Sequence, residues 1–426
     1  MGSVKQDIAT NTLLFVKKHR LLFALGFFVF FFNFLRINLG VEGLLQESYR
    51  EFSVDLSVSL LLISIVLFVA ILVKKVPYLG TGIRVTMSFL IILIVVHIIL
   101  AIYYQLESNG GSADVKSELP DTNSIAHPQR TFHWSTSKSP TIPDEQFGFM
   151  NRTLDTVYST IELNGVRKPD VRYVFDEAGR RIHDDFEPLH REKYALFMGC
   201  SVTLGMHVKE TETLPALFEK LDPEYKSYNY GISSSGTNHY LAMLQNLNLR
   251  SQVRERDGIM IYPYFDHHIN RSISDFQTFF WNSSSPYYEL DGENLVRRGS
   301  FETGRPMLNF FFKFLNYSYI DRLINFNYPS TLREKDYKLT AGMIHEMQVE
   351  YDRQFGSDKF LVLILPGFGN KIIPYLAEYK IQYLDYSELI PEFWNGDYTF
   401  PEDNHPNEKT YRIIAEHLAS ELKTRF

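Results

Sequence analysis

Three segments of the sequence contain residue types that can perform nucleophilic acyl chemistry. Residues 199–205 (GCSVTLG) place Ser201 in a glycine-bounded turn after a short apolar run. Residues 229–233 (NYGIS) follow a second apolar run, and residues 401–407 (PEDNHPN) place His405 beside acidic residues before a final helical pattern. A serine on such a turn can present its hydroxyl above a sheet, and its backbone N–H can help to bind an oxyanion. A histidine with a carboxylate partner can accept the proton of that hydroxyl.

The surrounding sequence predicts strands that alternate with helices. Five short apolar runs, separated mostly by helical spacing, lie at residues 194–198, 227–232, 258–264, 360–365 and 381–386. An amphipathic pattern at residues 408–423 predicts the last helix. Continuously apolar short strands of this kind indicate a parallel sheet covered on both faces. In such sheets a site lies beyond the carboxyl ends of the strands, where chemistry is to be sought.

The sequence of these segments resembles the SGNH/GDSL hydrolase superfamily, and in particular its membrane-anchored bacterial type. That family has a G-D-S-type first block, a glycine in the second, an asparagine in the third and a final D-x-x-H or D-x-H block. Here ALFMGCSVTLG, ETLPALFEKL and YNYGISSSGTN read like the opening, and EDNHPNEKTYRIIAEHL reads like the close. The resemblance covers about residues 190–426. It implies a flavodoxin-like, three-layer α/β/α domain with a parallel sheet.

The resemblance also implies roles for individual residues. Ser201 becomes the nucleophile and His405 the general base. Asp403 orients the imidazole if the D-x-H spacing applies, and Glu402, at the D-x-x-H spacing, is the alternative. The backbone N–H groups of Ser201 and Gly231 would bind the oxyanion.

The third block departs from the family pattern. Residues 257–271 read DGIMIYPYFDHHINR and lack a plain G-x-N-D. His268 or Asn270 is therefore the candidate for a side-chain oxyanion donor. Arg271 is a candidate for binding an anionic group of the substrate.

The first block departs from the pattern as well, because Cys200 stands where the family has aspartate. That aspartate is not a triad member, so the departure leaves the triad intact. Cys200 as the nucleophile is the less favoured alternative. The adjacent His267 and His268 suggest a metal site only weakly, because neighbouring residues of an extended chain point to opposite sides and no third ligand is evident. We expect no metal and no cofactor.

The first 104 residues predict a membrane anchor. Three apolar runs, each long enough for a helix to cross about 30 Å of hydrocarbon, lie at about residues 21–39, 54–73 and 85–104. Lys17, Lys18 and Arg20 precede the first run, and Lys74, Lys75 and Arg84 lie in the 74–84 loop, whereas the loop between the first and second runs has only Arg36 and Arg50. The positive-inside rule therefore places the N-terminus and the 74–84 loop in the cytoplasm. Three spans then place residues 105–426 on the outer face. We expect a multi-pass protein of the bacterial inner membrane with a periplasmic C-terminal domain.

Charge separates this anchor from the rest of the chain. The net charge of −7 divides into +4 for residues 1–104 and −11 for residues 105–426. The acidic body argues against a nucleic-acid partner, and a single cysteine excludes an internal disulfide. The predicted order is the anchor (1–104), a linker (105–143), a β-rich lead-in (144–190) and a catalytic domain (191–426) with an irregular, aromatic-rich insertion at about 272–335.

These features and the resemblance together imply a membrane-anchored serine esterase or acyl hydrolase. It would act through an acyl-enzyme at Ser201 on an ester-bearing small molecule or a cell-envelope glycan, with the lipid bilayer as a second partner. An O-acyltransferase that passes acetyl groups to a polysaccharide with the same triad, alongside other envelope-modification membrane proteins, is one alternative. A non-catalytic envelope scaffold is another.

Overall fold

The computed structural model describes residues 132–163, 166–167, 170–183, 191–292, 294–317, 326–367, 369–400 and 403–425. The three apolar runs of the predicted anchor lie outside these residues. Within the described part of the chain, no helix is both long and apolar enough to cross a membrane. The chain divides into two compact units, one of Met1–Glu118 and Phe310–Phe326 and the other of Leu119–Asn309 and Asn327–Phe426. The elements below belong to the second unit, except where one helix runs into the first.

Two small antiparallel sheets precede the main sheet and form the lead-in. Their strands are β1 (Phe132–Thr136), β2 (Thr141–Asp144), β3 (Gly148–Asn151), β4 (Asp155–Leu163), β5 (Val166–Arg167) and β6 (Val171–Phe175). Strand β4 pairs with β1, β5 and β6, and β2 pairs with β3. Strands β1 and β2 fall within the stretch predicted as linker. Their sequences, FHWST and TIPD, mix apolar and polar residues over only four or five positions. Backbone pairing with partner strands orders them, and a search for apolar runs does not detect such pairing.

A parallel sheet of five strands forms the centre of the second unit. Its strands are β7 (Lys193–Phe197), β8 (Tyr225–Asn229), β9 (Asp257–Tyr264), β12 (Phe360–Ile364) and β13 (Tyr383–Asp385). They lie in the order β13-β12-β9-β7-β8, and every neighbouring pair is parallel. The mixed α/β architecture and the parallel sheet agree with the prediction.

Helices cover both faces of this sheet. The helices of the described residues are α1 (Ser201–Leu204), α2 (Leu214–Leu221), α3 (Thr237–Asn246), α4 (His267–Ile273), α5 (Phe279–Asn282), α6 (Phe301–Gly304), α7 (Pro306–Tyr317), α8 (Glu334–Phe355), α9 (Ile373–Glu378) and α10 (Glu408–Arg425). Of these, α3, α4, α8 and α9 contribute to the core on one face of the sheet, and α1, α2 and α10 to the core on the other. Helix α7 continues into the first unit. Three short 3-10 helices lie at Glu210–Glu212, Leu249–Gln252 and Phe393–Asn395.

Alternate residues of each strand point to opposite faces and produce two hydrophobic cores. Leu196 of β7 packs in the core that contains α3 and α8. Its neighbour Phe197 packs in the core that contains α2 and α10. This division explains why the strands are apolar along their whole length.

The predicted insertion is more regular than its composition suggests. Strands β10 (Pro286–Asp291) and β11 (Asn294–Ser300) form an antiparallel hairpin, which precedes α6 and α7. A bulge lies in the register of the hairpin between Pro286 and Tyr288. The bulge interrupts the period-two pattern from which the strands would otherwise be predicted.

Candidate active site

Ser201 is the first residue of helix α1, directly beyond the carboxyl end of β7. Cys200 is its extended N-cap, and Gly205 ends the helix with a left-handed φ of 78°. The first N–H groups of a helix have no intrahelical acceptor. The short turn therefore presents the Ser201 hydroxyl together with a backbone N–H that can bind an oxyanion.

His405 and Asp403 lie on a tight loop between a chain reversal and helix α10. The N–H of Phe400 donates to the carbonyl of His405 (2.8 Å), and Asn404 takes a left-handed φ of 59°. Asparagine tolerates this conformation better than most residues. The Asn407 side chain accepts the N–H of Thr410 (3.3 Å) and caps α10.

The structure brings Ser201, His405 and Asp403 into one chain of close polar contacts. His405 Nε2 lies 2.8 Å from Ser201 Oγ, and His405 Nδ1 lies 2.8 Å from Asp403 Oδ2. The second carboxylate oxygen accepts the backbone N–H of His405 (3.1 Å). An ionised carboxylate only accepts hydrogen bonds, so Nδ1 carries the proton and Nε2 is left to accept from the serine hydroxyl. This is the tautomer that a general base for Ser201 needs.

The electrostatics of the site keep Asp403 ionised. Burial by itself raises the pKa of this carboxyl, but the charge of His405 and the hydrogen bonds from His207 and His405 outweigh it. The net result is a pKa of Asp403 well below its ordinary value. Glu402, the alternative carboxylate, lies outside the described residues.

A second histidine, which the sequence did not single out, also contacts Asp403. His207 Nε2 lies 2.5 Å from Asp403 Oδ2, the same oxygen that His405 contacts. The His207 side chain is fully buried, and its ring meets the His405 ring edge to face at 5.4 Å. The signal that could have identified His207 was its position shortly after Ser201, in the same sequence block.

These three side chains are also the ones, within the described part of the chain, whose atoms are close enough to surround a metal ion. Their ligand atoms lie within 4.8 Å of one another. Both imidazoles, however, direct a nitrogen at one carboxylate oxygen at hydrogen-bond distance. A metal ion among them would require both bonds to break, so the arrangement favours a hydrogen-bonded chain.

Gly231 lies beside helix α1, which carries the nucleophile, but its N–H already has a hydrogen-bond partner. Its N–H donates to Asn229 Oδ1 (2.9 Å), and its carbonyl accepts the side-chain amide of Asn151 (2.8 Å). A Cβ at this position would lie 2.1 Å from the backbone nitrogen of Leu204. The glycine thus permits β8 and helix α1 to approach closely, and use of its N–H for an oxyanion requires sharing with Asn229.

Each of the two candidate donors of the third block has one polar contact within its own region of the chain. His268 is fully buried in α4, and its Nδ1 lies 2.8 Å from the hydroxyl of Tyr262. Burial holds the pKa of His268 well below its ordinary value, so the ring is neutral. The amide of Asn270 donates to Asp275 (2.6 Å). The contact with Tyr262 occupies only Nδ1 of His268, and its buried Nε2 has no hydrogen-bond partner among the described residues. A side-chain oxyanion donor from this block therefore stays a prediction.

Arg271 is held by neighbours near the start of α3. Its guanidinium donates to the carbonyl of Ser235 (3.0 Å). It lies over the rings of Phe265 (5.4 Å) and Trp281 (5.7 Å). Anion binding by Arg271 stays a prediction.

Cys200 is buried beside the nucleophile, and its Sγ lies 3.9 Å from Ser201 Oγ. It is 1% exposed and belongs to the hydrophobic core that contains α2 and α10. A buried thiol in apolar surroundings is a poor nucleophile, so its position favours Ser201.

The lead-in contributes directly to the loop that follows the nucleophile. The buried guanidinium of Arg181 donates to the carbonyls of Leu204 (2.9 Å), Gly205 (2.6 Å) and Val208 (2.8 Å). Its guanidinium carbon lies 4.4 Å from the ring centre of Tyr173. Sequence reasoning missed this clamp, since an arginine in a polar turn has no distinguishing pattern.

No family model matches the chain, and no curated protein matches it. Several solved structures are similar. A member of the lipolytic G-D-S-L family from Veillonella parvula DSM 2008 is 15% identical, with 55% of this chain and 100% of that chain covered and a TM-score of 0.30. The acetyl xylan esterase Est2A from the rumen bacterium Butyrivibrio proteoclasticus is 10% identical, with 68% and 86% covered and a TM-score of 0.34. AlinE4, an SGNH-hydrolase family esterase, is 14% identical, with 56% and 98% covered and a TM-score of 0.28.

The first of these proteins is described as a lipolytic G-D-S-L family member, the second as an acetyl xylan esterase and the third as an SGNH-hydrolase family esterase. At such identities and TM-scores, the similarity by itself assigns neither a family nor an activity to the chain.

Proposed function

We propose that this chain is a serine esterase whose nucleophile is Ser201. The observation that carries the proposal is the hydrogen bond of 2.8 Å between Ser201 Oγ and His405 Nε2, with Asp403 on the opposite ring nitrogen. A serine hydroxyl is a weak nucleophile unless a positioned base accepts its proton, and this arrangement supplies the base.

The reaction proceeds through an acyl-enzyme. Ser201 Oγ attacks the ester carbonyl while His405 Nε2 accepts the hydroxyl proton, and Asp403 stabilises the imidazolium. The N–H of Ser201 stabilises the negative oxygen of the tetrahedral intermediate. His405 then protonates the leaving alkoxide. Water, deprotonated by His405, attacks the acyl-enzyme and releases the acid.

The proposed setting is the outer face of a bacterial inner membrane, with an ester-linked acyl group of a cell-envelope glycan as the substrate. The three apolar runs before residue 105 and the distribution of lysine and arginine around them support the anchor. The acidic body, with a net charge of −11, is compatible with neutral glycans and argues against nucleic acid.

Covalent labelling of the full-length protein in detergent tests the nucleophile. A fluorophosphonate probe, from which the serine oxygen displaces fluoride, is expected to form an adduct on the peptide that contains Ser201. The Ser201→Ala variant should give no adduct, and the matched Cys200→Ala variant should still react. Labelling that persists in Ser201→Ala and disappears in Cys200→Ala would move the nucleophile to the thiol.

Product analysis separates hydrolysis from transfer. The same preparation is incubated with 4-nitrophenyl acetate, with and without an unacetylated polysaccharide. Free acetate in both reactions supports the esterase, whereas acetylated polysaccharide supports an O-acyltransferase. A folded protein that neither reacts with the probe nor releases nitrophenol is a non-catalytic scaffold.

A further inference from the structure

The carboxylate of Asp403 receives more hydrogen bonds than a triad requires. Its Oδ2 forms a hydrogen bond with Nε2 of His207 (2.5 Å) and lies 2.8 Å from Nδ1 of His405, and its Oδ1 accepts the backbone N–H of His405 (3.1 Å). Because an ionised carboxylate has no proton to donate, Nε2 of His207 must carry one. One oxygen of the carboxylate therefore faces a ring nitrogen of each of the two imidazoles.

The backbone around His207 is built to deliver this contact. Gly205 and His207 both have left-handed φ angles, of 78° and 67°. A histidine seldom adopts this conformation, and it persists only where the surroundings over-determine it. Here the surroundings do so, because the N–H of His207 donates to the hydroxyl of Tyr173 (3.0 Å) and Arg181 binds the carbonyls of Gly205 and Val208.

The contact spans three parts of the chain that are far apart in sequence. Tyr173 and Arg181 belong to the lead-in, His207 follows the nucleophile, and Asp403 lies 196 positions beyond His207. The lead-in therefore fixes the loop that carries His207, and His207 in turn contacts the carboxylate that orients the base.

We propose that His207 is a positioning residue for this site, which acts by donating from Nε2 to Asp403 and so holding the carboxylate in line with Nδ1 of His405. The inference rests on the proposed function. It adds a fourth side chain and assigns the lead-in a part in catalysis.

Other ionisable groups also face this chain of hydrogen bonds. Tyr411 of α10 is fully buried, with its hydroxyl on the carbonyl of Val202 (2.8 Å), and burial keeps the pKa of Tyr411 well above its ordinary value. Tyr173 and Arg181 face the loop from the lead-in. The variants below leave these three side chains unchanged.

Two substitutions in the full-length protein separate the hydrogen bond from the packing. His207→Phe keeps a flat ring beside Phe400 but has no donor, whereas His207→Gln retains an N–H at a similar reach. With 4-nitrophenyl acetate, we expect His207→Phe to lower kcat by about 10- to 100-fold, the range for a hydrogen bond to a charged group. KM should change less than about twofold, because the contact is remote from the ester. His207→Gln should recover most of kcat.

The pH dependence of kcat/KM gives a readout that altered packing would not change. Without the donor from His207, more of the negative charge of Asp403 acts on His405 and stabilises its imidazolium. The acid limb of kcat/KM should therefore move to higher pH in His207→Phe and stay in place in His207→Gln. Equal melting temperatures for the two variants would show that both are folded.

Histidine ¹⁵N NMR keeps this test distinct from that of the esterase proposal. With the His405 signals assigned from a His405→Gln variant, we expect the Nδ1–H tautomer in the wild type and a loss of that preference in His207→Phe. If the protein proves catalytically inactive but this change occurs, the proposed function fails and the positioning contact stands. If His207→Phe has wild-type kcat and acid limb, or if His207→Gln is as impaired as His207→Phe, the positioning role is overturned.

Discussion

At the residue scale, the candidate site depends on which atom carries each proton. Asp403 lies 2.8 Å from Nδ1 of His405 and is hydrogen-bonded to two further N–H groups, and its negative charge favours the tautomer of His405 that leaves Nε2 facing Ser201. The sequence predicted Ser201, His405 and Asp403 from two short blocks. It did not identify His207, whose role depends on a contact rather than on a motif.

Asp403→Asn tests the ionised state of this carboxyl through stability. The pKa of Asp403 is depressed in the folded protein, so its ionised form stabilises the fold above the unfolded-state pKa of about 4, and this contribution is lost progressively as the pH falls below that value. We expect the variant to melt at a lower temperature than the wild type at pH 7. The difference in melting temperature should shrink as the pH is lowered below about 4.

The depressed pKa of Asp403 would be contradicted if the difference in melting temperature between Asp403→Asn and the wild type stayed constant from pH 7 to pH 3. Asp385→Asn provides a comparison at the end of β13, because the pKa of Asp385 is also lowered but no histidine contacts are involved in its causes. Only Asp403→Asn should also abolish esterase activity, since the amide disfavours the required tautomer of His405.

At the scale of elements, helix α1 is held between β8 and the lead-in. Gly231, just beyond the end of β8, leaves no room for a side chain beside Leu204, and Arg181 binds the carbonyls at the end of the helix. Both contacts fix the turn that carries Ser201. They explain why four residues remain helical where an isolated turn would not be stable.

Gly231→Ala should displace helix α1. The new Cβ would lie 2.1 Å from the nitrogen and 2.6 Å from the Cα of Leu204, and backbone atoms cannot move away as the end of a side chain can. We expect a large loss of activity and a lower melting temperature. The matched control is Gly342→Ala in α8, where the Cβ meets only ordinary contacts from 3.5 Å and where alanine should stabilise the helix by about 1 kcal/mol. Full activity in Gly231→Ala would contradict the close approach.

Arg181→Lys tests the clamp from the lead-in. A lysine supplies one flexible ammonium group and cannot bind carbonyls of Leu204, Gly205 and Val208 with the fixed fork of a guanidinium. With buried carbonyls left unpaired, we expect a free energy of unfolding lower by about 2–4 kcal/mol and reduced activity. Chemical denaturation measures the first quantity.

Arg298→Lys provides the control for Arg181→Lys. Arg298 pairs with Glu289 and Asp291 at an exposed surface, and such pairs contribute about 0–1 kcal/mol. If both arginine variants lose the same small amount of stability, the clamp does not hold the loop.

At the scale of the whole molecule, the sequence predicts a membrane topology. The predicted anchor lies outside the described residues, and the distribution of lysine and arginine supports a cytoplasmic N-terminus. The second unit has its own sheet and two cores. The topology determines whether the site meets the cytoplasm or the cell envelope.

Cysteine labelling tests this topology, and the native Cys200 can stay in place. Cys200 is the single cysteine of the chain and is 1% exposed, so the native protein should not react with a membrane-impermeant maleimide. In cells whose outer membrane is permeable and whose inner membrane is intact, we expect Ser112→Cys to react with the maleimide. Thr81→Cys, in the 74–84 loop, should react only after the inner membrane is opened. The reverse pattern would place the C-terminal domain in the cytoplasm.

The sequence by itself determined the elements that depend on local patterns. Apolar runs marked β7, β9 and β12, and the glycine-bounded turn and the D-x-H spacing marked Ser201 and His405. These features could be predicted because short-range periodicity and turn chemistry are properties of neighbouring residues. The lead-in strands β1 and β2 lacked such a pattern and were missed.

Only the tertiary structure decided which distant polar groups meet. The contact between His207 and Asp403, the clamp of Arg181 and the hydrogen bond from Asn151 to the carbonyl of Gly231 all join segments that are far apart in sequence. The contact of His268 with Tyr262 and that of Asn270 with Asp275 likewise became known only from the structure. A hydrogen bond depends on position and direction to within a few tenths of an ångström, and residue type and spacing along the sequence do not specify these.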